Sequence, residues 1–189
     1  LGIAPKAIFM KSRNGDTNWD VFHTSVGNTK RLRLNSDDGP DDYTGPWNDT
    51  DPTSTVFSST GSWLGANKNI VAYIFSEVTG YSKFGKYTGN GNANGTFVFT
   101  GFRPAFIIVK RTDDSSSDWY IFDNKRPAFN VIDNYISPNL TNAEISFTSL
   151  DILSNGFKLR NSGNDLNGNG GTIIYFAFAE APFKNARAR

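Results

Sequence analysis

Short apolar runs separated by polar turn residues recur along the whole 189-residue chain. The uninterrupted run from Ala7 to Lys11 is typical of a strand buried on both faces. Trp19 to His23 and Arg31 to Leu34 instead alternate large apolar with polar residues, as strands with one buried face do. The turn residues Asn14 to Asp16 predict that the first two segments form a hairpin. We find no sustained apolar stripe of helical period, so little helix is expected.

The same pattern occurs twice. Gly101 to Lys110 repeats Leu1 to Lys11, and residues 173–180 repeat residues 70–77. The second copy has one extra residue in its polar loop Thr112 to Asp118, where an insertion costs little. Because equal patterns of large and small residues bury in the same way, residues 5–77 and 104–180 should share one strand order. The superposition should place Trp19 over Trp119 and Phe75 over Phe178.

The composition fits an all-β protein, with 18 glycines and 14% aromatic residues punctuating short runs. We therefore expect two tandem, related β-sandwich modules of jelly-roll-like type, covering residues 1–80 and 81–189. The alternative is one larger, concanavalin-like sandwich made of two half-repeats.

The alternating segments on either side of the glycine- and asparagine-rich turn Gly89 to Gly95 predict a second hairpin, from Tyr81 to Phe102. No equivalent precedes Leu1, so the strand pair that opens the first copy either lies upstream or is supplied by a neighbour. One edge of the first sheet should therefore be bare, and bare edges invite pairing. We expect a homo-oligomer, a trimer, in which another chain or upstream sequence covers this edge.

The loop from Asn35 to Ser54 is rich in aspartate and has no acidic counterpart in the second copy. Carboxylate oxygens are ligands that Ca²⁺ prefers, so the loop is a weak calcium candidate despite lacking EF-hand spacing. A solvated acidic loop is the alternative. The candidate ligands are Asp37, Asp38, Asp41 and Asp42.

Aromatic residues that occur in only one copy are the candidate binding residues for a glycan or a protein partner, because loop aromatics suit stacking. They are Tyr43, Trp47 and Trp63. Trp19 and Trp119 recur in both copies and are interpreted as core residues whose indole N–H groups reach backbone carbonyls.

The sequence offers little for catalysis, since it has no cysteine and one histidine, His23. Glu77 and Glu180 end equivalent strands, which favours a repeated structural role such as an ion pair with Lys11 and Lys110. We therefore expect no enzyme activity and, apart from the calcium candidate, no cofactor. A net charge of +1 and the lack of a long apolar run argue against nucleic-acid binding and membrane insertion.

Five further segments carry a resemblance to a known group of proteins. They are Tyr87 to Gly91, Gly101 to Pro104, Val109 to Asp113, Asn155 to Leu159 and Tyr175 to Glu180. They resemble a tandem module common in virion proteins of phages that infect marine bacteria, typically tail fibres or other appendages.

The resemblance implies a non-enzymatic virion structural protein, located in an external appendage of the particle. It would contact the host surface, with a host cell-surface glycan as a candidate ligand and other virion proteins as partners. The alternatives are a capsid decoration or fibre-building subunit without a ligand, and a polysaccharide-degrading enzyme.

Overall fold

A computed structural model describes residues 2–64, 67–127 and 129–181 of the chain. These residues form three antiparallel β-sheets and two helices of a single turn each. The expected all-β, sandwich-type fold is confirmed.

The first sheet is built from the first repeat and has the strand order β4-β3-β2-β1-β5. Its strands are β1 (Ala7–Ser12), β2 (Asp20–His23), β3 (Lys30–Arg33), β4 (Asp41–Asp42) and β5 (Ile70–Phe75), and the short helix α1 (Gly61–Leu64) precedes β5. The predicted hairpin of β1 and β2 is confirmed, with Ile8 opposite Phe22.

The second repeat forms two four-stranded sheets. The second sheet, ordered β6-β13-β8-β9, contains β6 (Ser82–Thr88), β8 (Pro104–Arg111), β9 (Trp119–Asp123) and β13 (Thr172–Ala179). The third sheet, ordered β10-β11-β12-β7, contains β7 (Phe97–Phe99), β10 (Ile132–Tyr135), β11 (Ile145–Leu153) and β12 (Gly156–Leu159). The helix α2 (Asn164–Asn167) precedes β13.

The two repeats share one strand order, β2-β1-β5 in the first sheet and β9-β8-β13 in the second. The register is also the same, since Phe9 pairs with Tyr73 where Ile108 pairs with Phe176. The expectation of a common strand order is confirmed.

Loop contacts are duplicated as well. Lys11 donates to the carbonyl of Thr17, and its counterpart Lys110 donates to the carbonyl of Ser117. The expected ion pairs of these lysines with Glu77 and Glu180 are wrong, because both ammonium groups turn to loop carbonyls. Glu180 pairs instead with Arg103 at 2.7 Å.

The sheets stack in three layers, with the second sheet in the middle. One apolar core lies between the second and third sheets and contains Ile107, Phe122, Leu150, Phe157 and Ile173. Another lies between the first and second sheets and contains Phe9, Val21, Leu32, Trp119 and Phe176. Equivalent faces of the two repeats therefore face each other, and the Phe75 and Phe178 rings meet edge to face at 5.5 Å.

The outer face of the first sheet is covered by irregular chain rather than by a further sheet. Trp47 and Trp63, from the segment between β4 and β5, pack there on Ile8, Met10 and Phe22. The first repeat thus contributes one sheet and the second repeat two.

The predicted hairpin from Tyr81 to Phe102 is wrong in its pairing, although both strands form. β6 pairs with β13 in the second sheet, whereas β7 pairs with β12 in the third. Tyr87 and Val98 both point into the core between these sheets, so the turn crosses from one layer to the next. Asn167 holds this turn by donating to the side chain of Asn90 and the carbonyl of Asn92, both at 2.8 Å.

Candidate functional site

The free edge of the first sheet is the most distinctive surface of the described chain. Among the described residues, β5 pairs with β1 alone, whereas its counterpart β13 is paired on both sides, with β8 and β6. The bare edge expected for the first repeat is therefore present, and it is β5.

The hydrogen-bond phase of β5 shows which of its backbone groups are free. Arg13 N–H donates to the Asn69 carbonyl at 2.6 Å, so these two residues form a hydrogen-bonded pair. Hydrogen-bonded and non-hydrogen-bonded pairs alternate along an antiparallel ladder, so every second residue of β5 counted from Asn69 bonds to β1. The backbone groups of Ile70, Ala72 and Ile74 consequently point away from β1. No described residue pairs with them, so the edge presents unpaired N–H and C=O groups.

An apolar groove of about 210 Å³ lies beside this edge, on the face of β5 that is directed toward the second sheet. It is lined by Phe9, Trp19, Leu34, Tyr73 and Phe75. Tyr73 is 53% exposed, and its ring stacks on that of Trp19 with the ring centroids 6.1 Å apart. The groove therefore offers aromatic faces to the solvent.

A second hollow, of about 270 Å³, lies on the opposite face of the same strand. Ile74 and Pro5 line it together with residues 53–57, where Val56 is exposed. These residues belong to the segment between β4 and β5 that covers the outer face of the first sheet, here called the covering loop. A hollow therefore flanks the unpaired edge on each face of the sheet, an apolar one toward the second sheet and a mixed one on the outer face.

The structure separates the three aromatic binding candidates. Trp47 and Trp63 belong to the covering loop and are buried against the first sheet, so the expectation that they form an exposed stacking surface is wrong. With no sheet on this face, the two indoles themselves form the apolar layer. Trp63 Nε1–H donates to the carboxylate of Asp20 at 2.8 Å.

Tyr43 is partly exposed, but one face of its ring is occupied. The guanidinium of Arg31 lies 3.8 Å from the ring centroid, a cation–π contact. Arg31 also bonds Asp20 and Asp41, so Tyr43 belongs to a structural network of charged groups.

The four aspartates of the calcium candidate do not converge. Asp38 and Asp41 both contact Arg33, at 2.5 and 2.7 Å, and Asp42 contacts Lys30 at 2.9 Å. Hydrogen bonding from Ser36, together with Arg33, lowers the pKa of Asp38 below its usual value. Within the described ranges, no three carboxylate or imidazole side chains are grouped to hold a metal ion.

The acidic loop ties the two repeats together. The Asp37 carbonyl accepts hydrogen bonds from the buried ammonium of Lys110, at 2.7 Å, and from the N–H of Ser117, at 3.0 Å. Gly39 lies so close to the second repeat that a Cβ there would be 2.5 Å from the Asp114 carbonyl. The acidic loop therefore helps to hold the two repeats together, a role that its composition did not reveal.

His23 is fully buried between the first and second sheets. Its Nε2–H donates to the Tyr175 carbonyl at 3.2 Å, and its Nδ1 accepts from the Ser25 N–H at 3.1 Å. Burial lowers the pKa of the imidazole to about 4. The ring is therefore neutral near pH 7 and links the two repeats, as a structural histidine does.

Trp119 and Trp19 also behave differently. Trp119 is fully buried and its Nε1–H donates to the Arg33 carbonyl at 2.8 Å, which confirms the expected core role. Trp19 is half-buried and lines the apolar groove, so the repeated tryptophan of the first copy belongs to the candidate site.

A cleft in the second repeat was missed by the sequence reasoning. It has a volume of about 240 Å³, with Tyr120, Tyr135 and Phe147 among its walls and Asp165 at its side. The Tyr120 hydroxyl donates to Asp165 at 2.7 Å. Its walls come from β9, β10, β11 and α2, which lie far apart in the sequence, so no local motif marked it.

Comparison with known proteins places the chain in a family. Residues 1–182 match the family described as Domain of unknown function (DUF7483), and the chain belongs to this family. No curated protein and no solved structure matches it. Within the described residues, no helix is long and apolar enough to cross a membrane.

Proposed function

We propose that the protein is a non-enzymatic structural component of a phage virion, part of a tail fibre or a similar external appendage. The observation that carries the proposal is the unpaired edge of β5 with a hollow on each side, of which the one toward the second sheet is apolar. Proteins normally cover or blunt such an edge, and this one is met by no described residue. A subunit that is completed by a neighbour in an assembly accounts for it.

The way in which polar groups are used supports the same proposal. Buried polar side chains such as His23, Lys110 and Asp20 each hold loops or sheets together. They bond to backbone carbonyls or to neighbouring side chains rather than meeting around a shared reactive position. A module whose buried polar groups join its loops and sheets is rigid, and a rigid module is suited to transmit force within an appendage.

Particle labelling tests the virion assignment. An antibody raised against the purified chain should place gold label on an appendage of the phage particles that encode it. Label restricted to the capsid shell would favour a capsid decoration instead, and absence from purified particles would refute the proposal. Release of reducing ends from a polysaccharide panel would refute the non-enzymatic assignment.

Analytical ultracentrifugation tests the assembly part of the proposal, in which the chain forms a homo-oligomer, a trimer. The expected result is a sedimenting species with the mass of three chains. A monomer at all concentrations would contradict the oligomer, while leaving the virion assignment to the labelling experiment.

Binding of a host cell-surface glycan is a second candidate function, favoured by the cleft in the second repeat. Aromatic rings beside carboxylate and amide groups suit a sugar, which has both apolar faces and hydroxyl groups. Phe147 is 51% exposed at this cleft. Phe147→Ala should abolish any signal on a glycan array, whereas Phe97→Ala, at an exposed phenylalanine outside the cleft, should retain it.

A further inference from the structure

We propose that the edge of β5 accepts an antiparallel β-strand from another protein chain, and that this strand carries the side-chain pattern of β6. The inference rests on the proposed function, since it names the kind of partner that completes the subunit. The internal duplication supplies the template, because β6 already occupies the same position in the second repeat.

The backbone of β13 shows how the added strand is held. Ile173, Tyr175 and Ala177 of β13 lie opposite Tyr87, Gly85 and Lys83 of β6. The Gly89 N–H to Gly171 carbonyl bond, at 2.9 Å, puts these pairs in the hydrogen-bonded phase of the ladder. Their counterparts in the first repeat are Ile70, Ala72 and Ile74, the residues whose backbone groups are unpaired.

The side chains of β6 show what the groove beside β5 would take. Phe84 packs on Phe176 and Phe178, with ring centroids 6.0 and 5.8 Å away. The counterparts of those two residues are Tyr73 and Phe75, which line the open apolar groove. An aromatic side chain at the Phe84 position of an incoming strand therefore reaches the groove.

On the face of the strand directed away from the groove, the two edges differ in the size of the side chain that they allow in an added strand. In β6 the residue opposite Tyr175 is Gly85, where a Cβ would lie 2.8 Å from the Tyr175 hydroxyl oxygen. The first repeat has the small Ala72 in place of Tyr175. The incoming strand is thus free to carry a larger apolar residue where β6 needs glycine.

The composition of β5 argues that this edge is normally covered. Its sequence, Ile70 to Phe75, has no charged residue, proline or glycine. These are the features with which proteins blunt an exposed edge against pairing. An uncharged six-residue edge strand with high β-propensity tends to aggregate when exposed, and an added strand prevents this by pairing with its edge.

The strand comes from a different chain rather than from the described residues of a second copy. In a second copy β6 and β7 are already paired, with β13 and β12. The Gly2 N–H bonds the Ser54 carbonyl, so the described N-terminal residues do not themselves pair with β5. Addition of a strand to a sheet edge is an established mode of peptide recognition.

A peptide with the sequence of residues 80–90 is the first probe. Fluorescence anisotropy of the labelled peptide should show saturable binding, weakened at least tenfold when aspartate replaces its Phe84. Tyr73→Lys in the protein should weaken binding as much, whereas Phe97→Lys, at an exposed aromatic position on the third sheet, should leave it unchanged. Absence of binding at millimolar peptide, or equal binding of both peptides, would overturn the proposal.

Disulfide trapping tests the register. The chain has no cysteine, so Tyr73→Cys introduces a single thiol. By the pairing of Phe84 with Phe176, a peptide with cysteine at position 84 should cross-link faster than one with cysteine at position 83 or 85. Equal rates would overturn the register.

Two further outcomes separate this inference from the proposed function. If the protein alone forms a dimer or trimer that Ala72→Pro converts to monomer, copies of this chain cover the edge and the strand proposal fails. Ala72→Pro removes an outward N–H without removing a β1–β5 hydrogen bond, and circular dichroism checks that the variant folds. Appendage labelling combined with a failed peptide experiment would leave the virion assignment standing and remove only the strand proposal.

Discussion

His23 should make the stability of the protein depend on pH in a defined window. Its pKa falls from 6.5 in the unfolded chain to about 4 in the folded one, because burial disfavours the imidazolium. Between these values the unfolded state binds the proton and the folded state does not. The stability contribution is therefore complete above pH 6.5 and is lost progressively as the pH falls toward 4.

The structure also sets the size of the effect. One pKa unit corresponds to about 1.4 kcal/mol, so the difference between 6.5 and about 4 is worth at most about 3 kcal/mol of unfolding free energy. Asp20 acts in the opposite sense, because burial raises its pKa and the folded state then holds its proton more tightly. A comparison of two variants at each pH is needed to isolate His23.

His23→Gln provides this comparison, since its amide N–H can still reach the Tyr175 carbonyl and does not titrate. Urea unfolding of both proteins at several pH values from 7.5 to 4.5 should give a difference that shrinks by about 2 to 3 kcal/mol toward acid. With one histidine in the chain, its NMR signal should titrate near pH 4. A pH-independent difference, or a midpoint near 6.5, would refute the reasoning.

Three further predictions concern the contacts between the repeats and the acidic loop. Phe176→Ala should cost about 3 to 5 kcal/mol in urea unfolding, because a fully buried ring is removed from the middle layer, whereas Phe97→Ala on the surface should cost far less. Lys110→Met should destabilise by about 1 to 3 kcal/mol and by more than Lys11→Met, since only Lys110 also bonds the other repeat. EDTA should leave the melting temperature unchanged, because the loop aspartates are paired with basic side chains; a large drop would reveal a bound cation.

The three-strand unit common to both repeats, called here the duplicated frame, was predictable because its large side chains recur at regular positions in both copies. Equal spacing of large residues in β1, β2 and β5 and in β8, β9 and β13 required equal strand order, and the structure has it. The partner of β6 was not predictable in the same way. Alternation shows that a strand has two different faces, but it does not say which strand hydrogen-bonds to its edge.

The candidate site was predicted in one part and missed in another. The bare edge was predictable from the repeat, because the second copy pairs its equivalent strand with β6. Trp47 and Trp63 are predicted to be exposed binding residues because each is an aromatic residue found in only one copy. Loop composition does not reveal that no second sheet covers this face of the first sheet. The apolar face is buried instead by the indoles of the neighbouring loop, because burying apolar surface is favourable.

The differences between the repeats lie where their sequences diverge. In the second repeat the outer face of the duplicated frame is covered by the third sheet, and its edge by β6. In the first repeat a loop with two buried tryptophans covers the face, but the described residues supply nothing for the edge. A loop can bury side chains on a face, yet only an extended strand offers N–H and C=O groups at the spacing that an edge requires. For this reason the first repeat, over its described residues, is closed on its face and open at β5.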